Sequence, residues 1–221
     1  MSLFDHIKKP KPPETPTTSQ FPNMGQTAQP TATQAVETVA PVVSEASKPS
    51  ENTEVATHFF VGIDLGTTHC VLSYGKAEEE SFSQTVMAIP QLTDLGMVED
   101  KHQLPSFLYQ AHEAEISAGS TTLPWTAQPD HLVGEVARNL GSKTPIRLVS
   151  SAKSWLCHAG IDCKAPILPA DAPEEIERVS PFQATTAYLQ HIKDAWQHLH
   201  PNAPLAKQDL VITVPASFDP A

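Results

Sequence analysis

Hydrophobic positions are scattered and without period through the first 57 residues, then cluster abruptly at His58. Phe59-Phe60-Val61-Gly62-Ile63-Asp64 reads as a buried strand, Gly66-Thr67-Thr68 as a tight turn, and Cys70-Val71-Leu72-Ser73-Tyr74 as the returning strand. Ser83 to Ile89 offers a third strand, which makes the opening an antiparallel meander. Ser106-Phe107-Leu108-Tyr109 predicts a short strand. Gly134 to Leu140 predicts a short helix terminated by Gly141, and Ser151 to His158 a further helical turn or two. The clearest helix runs from Ser180, a natural N-cap followed by Pro181, to about His200 before Pro201. Phe182, Thr185, Leu189, Ile192, Trp196 and Leu199 recur along it at three- and four-residue steps and predict one apolar stripe. Leu210-Val211-Ile212-Thr213-Val214 is a continuous apolar run of the kind expected in a strand covered on both faces. A meander, a helix and a buried strand together predict an α/β layer architecture.

Composition sharpens this picture at the two ends. Residues 1–57 hold eight of the 21 prolines among many Thr, Ser, Gln and Ala, so this segment is expected to be a disordered tail. Within it, Leu3, Phe4 and Ile7 are most simply a frayed terminus. At the other end, Asp219-Pro220 is a helix-start signal with no helix after it, so the sequence reads as a fragment. An exposed apolar surface around Val211 and Trp196 is the expected consequence.

Charge and cysteine content exclude several function classes. A formal net charge of −11 disfavours binding to nucleic acid and to anionic membrane surfaces. No apolar run reaches the roughly 18 residues of a transmembrane helix, and the first ten residues lack a secretory signal. Cys70, Cys157 and Cys163 are odd in number and form no Cys-x-x-Cys pair, which argues against a disulfide scaffold or zinc knuckle. A reducing, cytoplasmic setting is the expectation. Cys157 and Cys163 read as small buried hydrophobes. His198 and His200 suit the helix C-terminus, and Glu174-Glu175-Ile176-Glu177 reads as a solvated run.

The residues with most chemical content are Asp64 to Thr68. Gly66 permits close approach of backbone to a phosphate, and successive N–H groups in such a turn form an anion nest. Thr67 and Thr68 add hydroxyl donors, while Asp64 suits the water shell of a divalent cation. An ordinary hairpin, with Gly and Thr serving turn geometry alone, fits the same residues.

Four segments in order extend the motif: Gly62-Ile63-Asp64-Leu65-Gly66-Thr67-Thr68, Leu104-Pro105-Ser106-Phe107, Ser151-Ala152-Lys153-Ser154-Trp155-Leu156 and Thr213-Val214-Pro215-Ala216-Ser217-Phe218. With these the chain, over about residues 58–221, resembles the ATPase domain of the seventy-kilodalton heat-shock chaperones of DnaK type. The resemblance implies an actin-like, ribonuclease-H-like ATPase lobe, incomplete here. One subdomain would comprise 58–97 and 178–221, with 98–177 inserted as a smaller one. It implies ATP or ADP with Mg²⁺, and K⁺ as a further cation, and as partners unfolded client proteins and co-chaperones. By the same resemblance, Asp64 would hold the metal through water, and Gly66, Thr67, Thr68 and His69 would line the phosphates. Asp64, Thr67 and Lys153 would serve hydrolysis, and Pro215 would act as a nucleotide-dependent switch. His69, in place of the family's Asn or Tyr, and Ser154-Trp155, in place of its Arg-Leu, depart from the pattern. The family's second phosphate loop, adenosine pocket and peptide-binding domain have no counterpart in the sequence, so this chain alone is expected to bind ATP weakly or not at all. Two other readings stand beside it: a non-enzymatic, partner-binding remnant of the lobe, and a sugar-kinase-like phosphotransferase resting on Asp64 to Thr68 alone.

Overall fold

A computed structural model describes residues 57–78 and 83–214, all within one unit spanning Asn52–Ala221. The tail expected over 1–57 lies outside the described residues except for Thr57, and so does Pro215.

The first strand, β1 (Phe59–Leu65), pairs antiparallel with β2 (His69–Lys76), and β2 pairs with the short β3 (Thr85–Val86). The third strand is thus shorter than expected. The chain leaves this sheet and enters a separate hairpin, β4 (Ile89–Asp94) with β5 (Met97–Lys101), inside which the subdomain boundary expected after residue 97 falls. Next, β6 (Leu104–Pro105) returns to pair with the start of β2. A three-stranded sheet follows in the order β8 (Leu132–Val133), β7 (Phe107–Tyr109), β9 (Leu148–Ser150). It is backed by α1 (Glu135–Lys143) and continues into the one-and-a-half-turn α2 (Ala152–Leu156). The long helix α3 (Pro181–Leu199) precedes β10 (Asp209–Thr213), which lies parallel to β1 with Ile212 beside Ile63.

Local sequence explains the best-formed element. Ser180 accepts a hydrogen bond from the Gln183 N–H while the Gln183 side chain accepts one from the Ser180 N–H, a complete capping box with Pro181 at the first helical position. The phase of the helix differs from the expected stripe. Pro181, Ala184, Thr185, Tyr188, His191, Ile192, Ala195 and Trp196 are buried, whereas Phe182 and Leu199 are 52% and 44% exposed. Ala184, Tyr188, Ile192, Ala195 and Trp196 enter the core, and Phe182 is left on the flank.

The main core packs α3 on the face of β1 and β2 that carries Phe59, Val61, Ile63, Cys70 and Leu72. Trp196, fully buried and not exposed as expected, meets Phe59 and Tyr74 edge to face at 5.4 and 5.3 Å, and its indole N–H donates to the Ala203 carbonyl. His200 closes this aromatic group 4.1 Å from Trp196, so its setting is a packed ring and not only a helix terminus.

Three other expectations are corrected. Gly141 does not end α1 but lies buried within it, because a Cβ there would come within 2.4 Å of the Leu148 side chain; the glycine lets β9 pack directly on the helix. Cys157 and Cys163 are only half-buried. The strand β10 is not covered on both faces: it is an edge strand paired with β1 alone among the described residues, and Leu210, Val211 and Ile212 are 40%, 68% and 38% exposed. Its residues lie past the reach of α3, whose large side chains cover β1 and β2. No described helix is long and apolar enough to cross a membrane.

Buried His191 gives the fold a pH signature. Its Nε2–H donates to the Pro90 carbonyl at 3.0 Å, and burial lowers the imidazole from its ordinary value to about 4. Between pH 6.5 and about 4 the unfolded chain takes up a proton that the folded chain does not, so this contribution is complete above 6.5 and shrinks as pH falls through the window. The loss attributable to His191 is about 3 kcal/mol. Urea unfolding of the native chain should therefore weaken more steeply between neutral and acid pH than that of His191→Gln; parallel curves would assign the acid sensitivity elsewhere.

Candidate functional site

The turn between β1 and β2 is short because Leu65 still pairs with Cys70, leaving four residues to reverse the chain. A Cβ on Gly66 would fall 2.0 Å from the His69 carbonyl oxygen, so the turn closes only around glycine. Thr67 and Thr68 are exposed, and their hydroxyls have no hydrogen-bond partner among the described residues. His69 is half-buried at the first position of β2, opposite Pro105.

Two hydroxyl residues outside the turn hold it. Ser106, between β6 and β7, gives its N–H to the Thr68 carbonyl at 2.9 Å and its hydroxyl to the Gly66 carbonyl at 2.9 Å. The same oxygen lies 3.4 Å from the buried Cys70 Sγ. Burial pushes the Cys70 thiol up from its ordinary value, partly offset by Ser106 and the Gly66 backbone. The second is Thr213 in β10, which sits in register beside Asp64. Its hydroxyl donates to Asp64 Oδ1 at 2.6 Å and accepts from the Leu65 N–H at 3.3 Å, across 148 residues of chain. A hydroxyl has one proton and two lone pairs, so this is a consistent pair of roles, and it fixes the carboxylate where β1 runs into the turn.

Lys153 lies on α2, which follows the last strand of the three-stranded sheet. Phe107, directly after Ser106, pairs with Ser150, and three residues later α2 carries Lys153, half-buried. The turn into α2 passes through Ser151 in the left-handed region at φ 55°, an uncommon conformation for a residue other than glycine.

The structure thus gathers Asp64, Gly66, Thr67, Thr68 and His69 on one hairpin, whereas Lys153 lies on α2, which packs against α3. Among the described residues no group of three or more His, Cys, Asp or Glu is arranged to hold a metal ion. No protein-family model matches the chain, and no curated protein matches it. Sequence reasoning noted Ser106 and Thr213 only as letters in longer motifs and assigned neither a role. The available signal was a hydroxyl residue at the end of each strand that meets β1 or β2 beside the turn.

The turn should be sensitive to changes that touch no solvent-facing group. Gly66→Ala must displace the His69 carbonyl and should cost about 2 kcal/mol or more, whereas Ser106→Ala removes the hydroxyl's bond to the Gly66 carbonyl and its weaker one with the Cys70 thiol and should cost about 1 kcal/mol. Urea midpoints read both losses, and faster amide exchange confined to residues 66–70 in Ser106→Ala would show that the clamp is local. Unchanged exchange there would deny Ser106 this role.

Proposed function

We propose that the Asp64–His69 hairpin is one wall of a Mg²⁺–ATP phosphate site of the seventy-kilodalton heat-shock chaperone type, within an actin-like ATPase lobe that acts with co-chaperones on unfolded client proteins. The observation that carries this reading is the division of labour in the turn. Its carbonyls are tied back by Ser106, while the Thr67 and Thr68 side chains are left outward and unpartnered among the described residues. A turn built only to reverse the chain has no need of two outward hydroxyls above a clamped backbone.

Asp64 fits the magnesium that such a site takes. Its Oδ1 is held by Thr213 and its Oδ2 has no protein partner among the described residues, and magnesium commonly uses one or two carboxylates together with waters and phosphate oxygens. When bound, the ion neutralises charge on the phosphate oxygens. The chain's own part is positional. Thr67 and Thr68 would donate to phosphate oxygens, Gly66 would let the backbone come close, and Lys153 would offer a positive charge from the side. Phosphoryl transfer depends on such placement and electrostatics more than on covalent chemistry.

A second reading, a partner-binding lobe without turnover, is favoured by the outer face of the sheet. Val86, Ser73, Gly62 and Val211 form one cross-strand row, with Phe60 next to it on β1; Phe60, Val86 and Val211 are 46%, 43% and 68% exposed.

Asp64, Thr67 and Thr68 all face solvent, where each hydrogen bond to a ligand nets only about 1 kcal/mol. Mg²⁺–ATP should therefore bind the 221-residue chain weakly, with a Kd of about 1 mM or above, and without a measurable chaperone cycle. NMR titration should shift the amides of residues 66–69, adenosine should leave them in place, and Thr67→Val with Thr68→Val should abolish the response. Hairpin amides indifferent to Mg²⁺–ATP at about ten times that concentration would sink the nucleotide reading and leave the partner-binding one.

A further inference from the structure

Away from the hairpin, a cavity of about 770 Å³ opens between the flank of α3 and the segment 123–131 that leads into β8. Its apolar lining includes Trp125 and the exposed Phe182, the residue that the phase of α3 leaves outside the main core. The Trp125 ring stands edge to face with His191 at 5.1 Å and 6.1 Å from His198, so its orientation is fixed by neighbours.

The polar lining combines two carboxylates with His131, His191 and His198 and neutral amides and hydroxyls. Asp130 and Asp194 are the carboxylates, and no Lys or Arg lines the cavity. Asp194 Oδ1 accepts from the Gln190 amide at 2.7 Å, a neutral contact that leaves its charge uncompensated. Asp130 has no ion-pair or hydrogen-bond partner among the described residues. His191 donates its Nε2–H to Pro90, so its other ring nitrogen is an acceptor while the imidazole is neutral. Two carboxylates beside aromatic faces attract a positive charge both directly and through the ring quadrupole.

We propose that this cavity binds a small organic cation, an alkylammonium on an apolar body, with the ammonium facing Asp130 and Asp194 and the body against Trp125 and Phe182. An anion would meet two carboxylates within a chain of net charge −11. A neutral apolar ligand would leave the half-buried Asp194 without a charge partner and gain nothing from either carboxylate. The described residues offer no cluster of three metal-ligating side chains that would favour a bare metal ion. This assignment does not depend on the phosphate reading of the hairpin.

Three probes of one shape and different charge decide it: phenethylammonium, 2-phenylethanol and phenylacetate, each titrated into the full chain at a pH of about 7.5, where histidines of ordinary pKa are neutral. The Trp125 indole N–H should shift saturably with phenethylammonium, respond at least about tenfold more weakly to the alcohol, and ignore phenylacetate. The buried Trp196 indole, held by Ala203, serves as the reference for an intact fold. Asp130→Asn with Asp194→Asn should erase the advantage of the cation while keeping the response to the alcohol. Should that variant lose the Trp196 signal, added salt on the native chain gives the same reading, since screening must weaken the cation and spare the alcohol. Equal affinity for cation and alcohol, preference for phenylacetate, or no saturable shift of Trp125 with phenethylammonium would each overturn the proposal.

Discussion

The structure depends on β1 being satisfied along both edges and one face. Its register with β2 runs from Phe59 to Leu65, and its register with β10 from Phe60 to Asp64. Each strand edge carries unpaired N–H and C=O groups unless a neighbour supplies partners, and burying such groups without partners is expensive. The β10 contact is therefore what lets β1 lie inside the sheet. It is secured at one end by His58 with Asp209 and by Phe59 with the Gln208 side chain, and at the other by Thr213 with Asp64 and Leu65. Alternation along β1 then sends Phe59, Val61, Ile63 and Leu65 into the core and Phe60, Gly62 and Asp64 to the opposite face. A one-residue slip would bury Asp64 and expose the core set. The register that makes the core is thus the register that presents the carboxylate.

Stability and the candidate site are joined through small hydroxyl residues more than through charges. Ser106 links the turn to β6 and β7, and Thr213 links the carboxylate to β10. Both satisfy backbone groups as well as site groups, so each is held by the sheet that it helps to hold. Exposed ion pairs such as Lys101 with Glu99 have no comparable reach, since surface pairs are screened and contribute little. The three-stranded sheet is joined to the hairpin through the chain itself: Ser106 and Phe107 adjoin, and Phe107 pairs with Ser150.

What the sequence made legible was whatever is encoded within a few consecutive residues. The apolar Phe59–Asp64 segment, the glycine turn, the Ser180–Pro181 helix start and the apolar Leu210–Val214 run each combine composition with position, and each produced the expected element. The exposure of β10 was not legible, because continuous hydrophobicity reports what a strand is able to bury and not which neighbour covers it. The phase of α3 is not legible in the hydrophobic pattern because Ala184, His191 and Ala195 weigh little in it, although all three are buried and His191 makes a buried hydrogen bond. Gly141 was misread because a helix-ending glycine and one that admits a neighbour are the same letter; only the position of Leu148 separates them. The roles of Ser106 and Thr213 were out of reach for the same reason, since each acts on residues far away in the chain.

The two proposed sites would make opposite demands on electrostatics, to be met at different ranges. A net charge of −11 sets up a long-range field that favours cations everywhere on the surface, and the cavity beside α3 works with it through Asp130 and Asp194. A phosphate at the hairpin works against it. Such a ligand has to be held at short range by N–H groups, hydroxyls and the Lys153 charge, with magnesium removing part of its own. Salt screens fields between separated exposed groups far more than it weakens hydrogen bonds in direct contact. Raised ionic strength therefore relieves the penalty at the hairpin and removes the advantage at the cavity. One acidic chain can in this way carry an anion-directed turn and a cation-directed groove, provided the turn relies on contact geometry and the groove on charge.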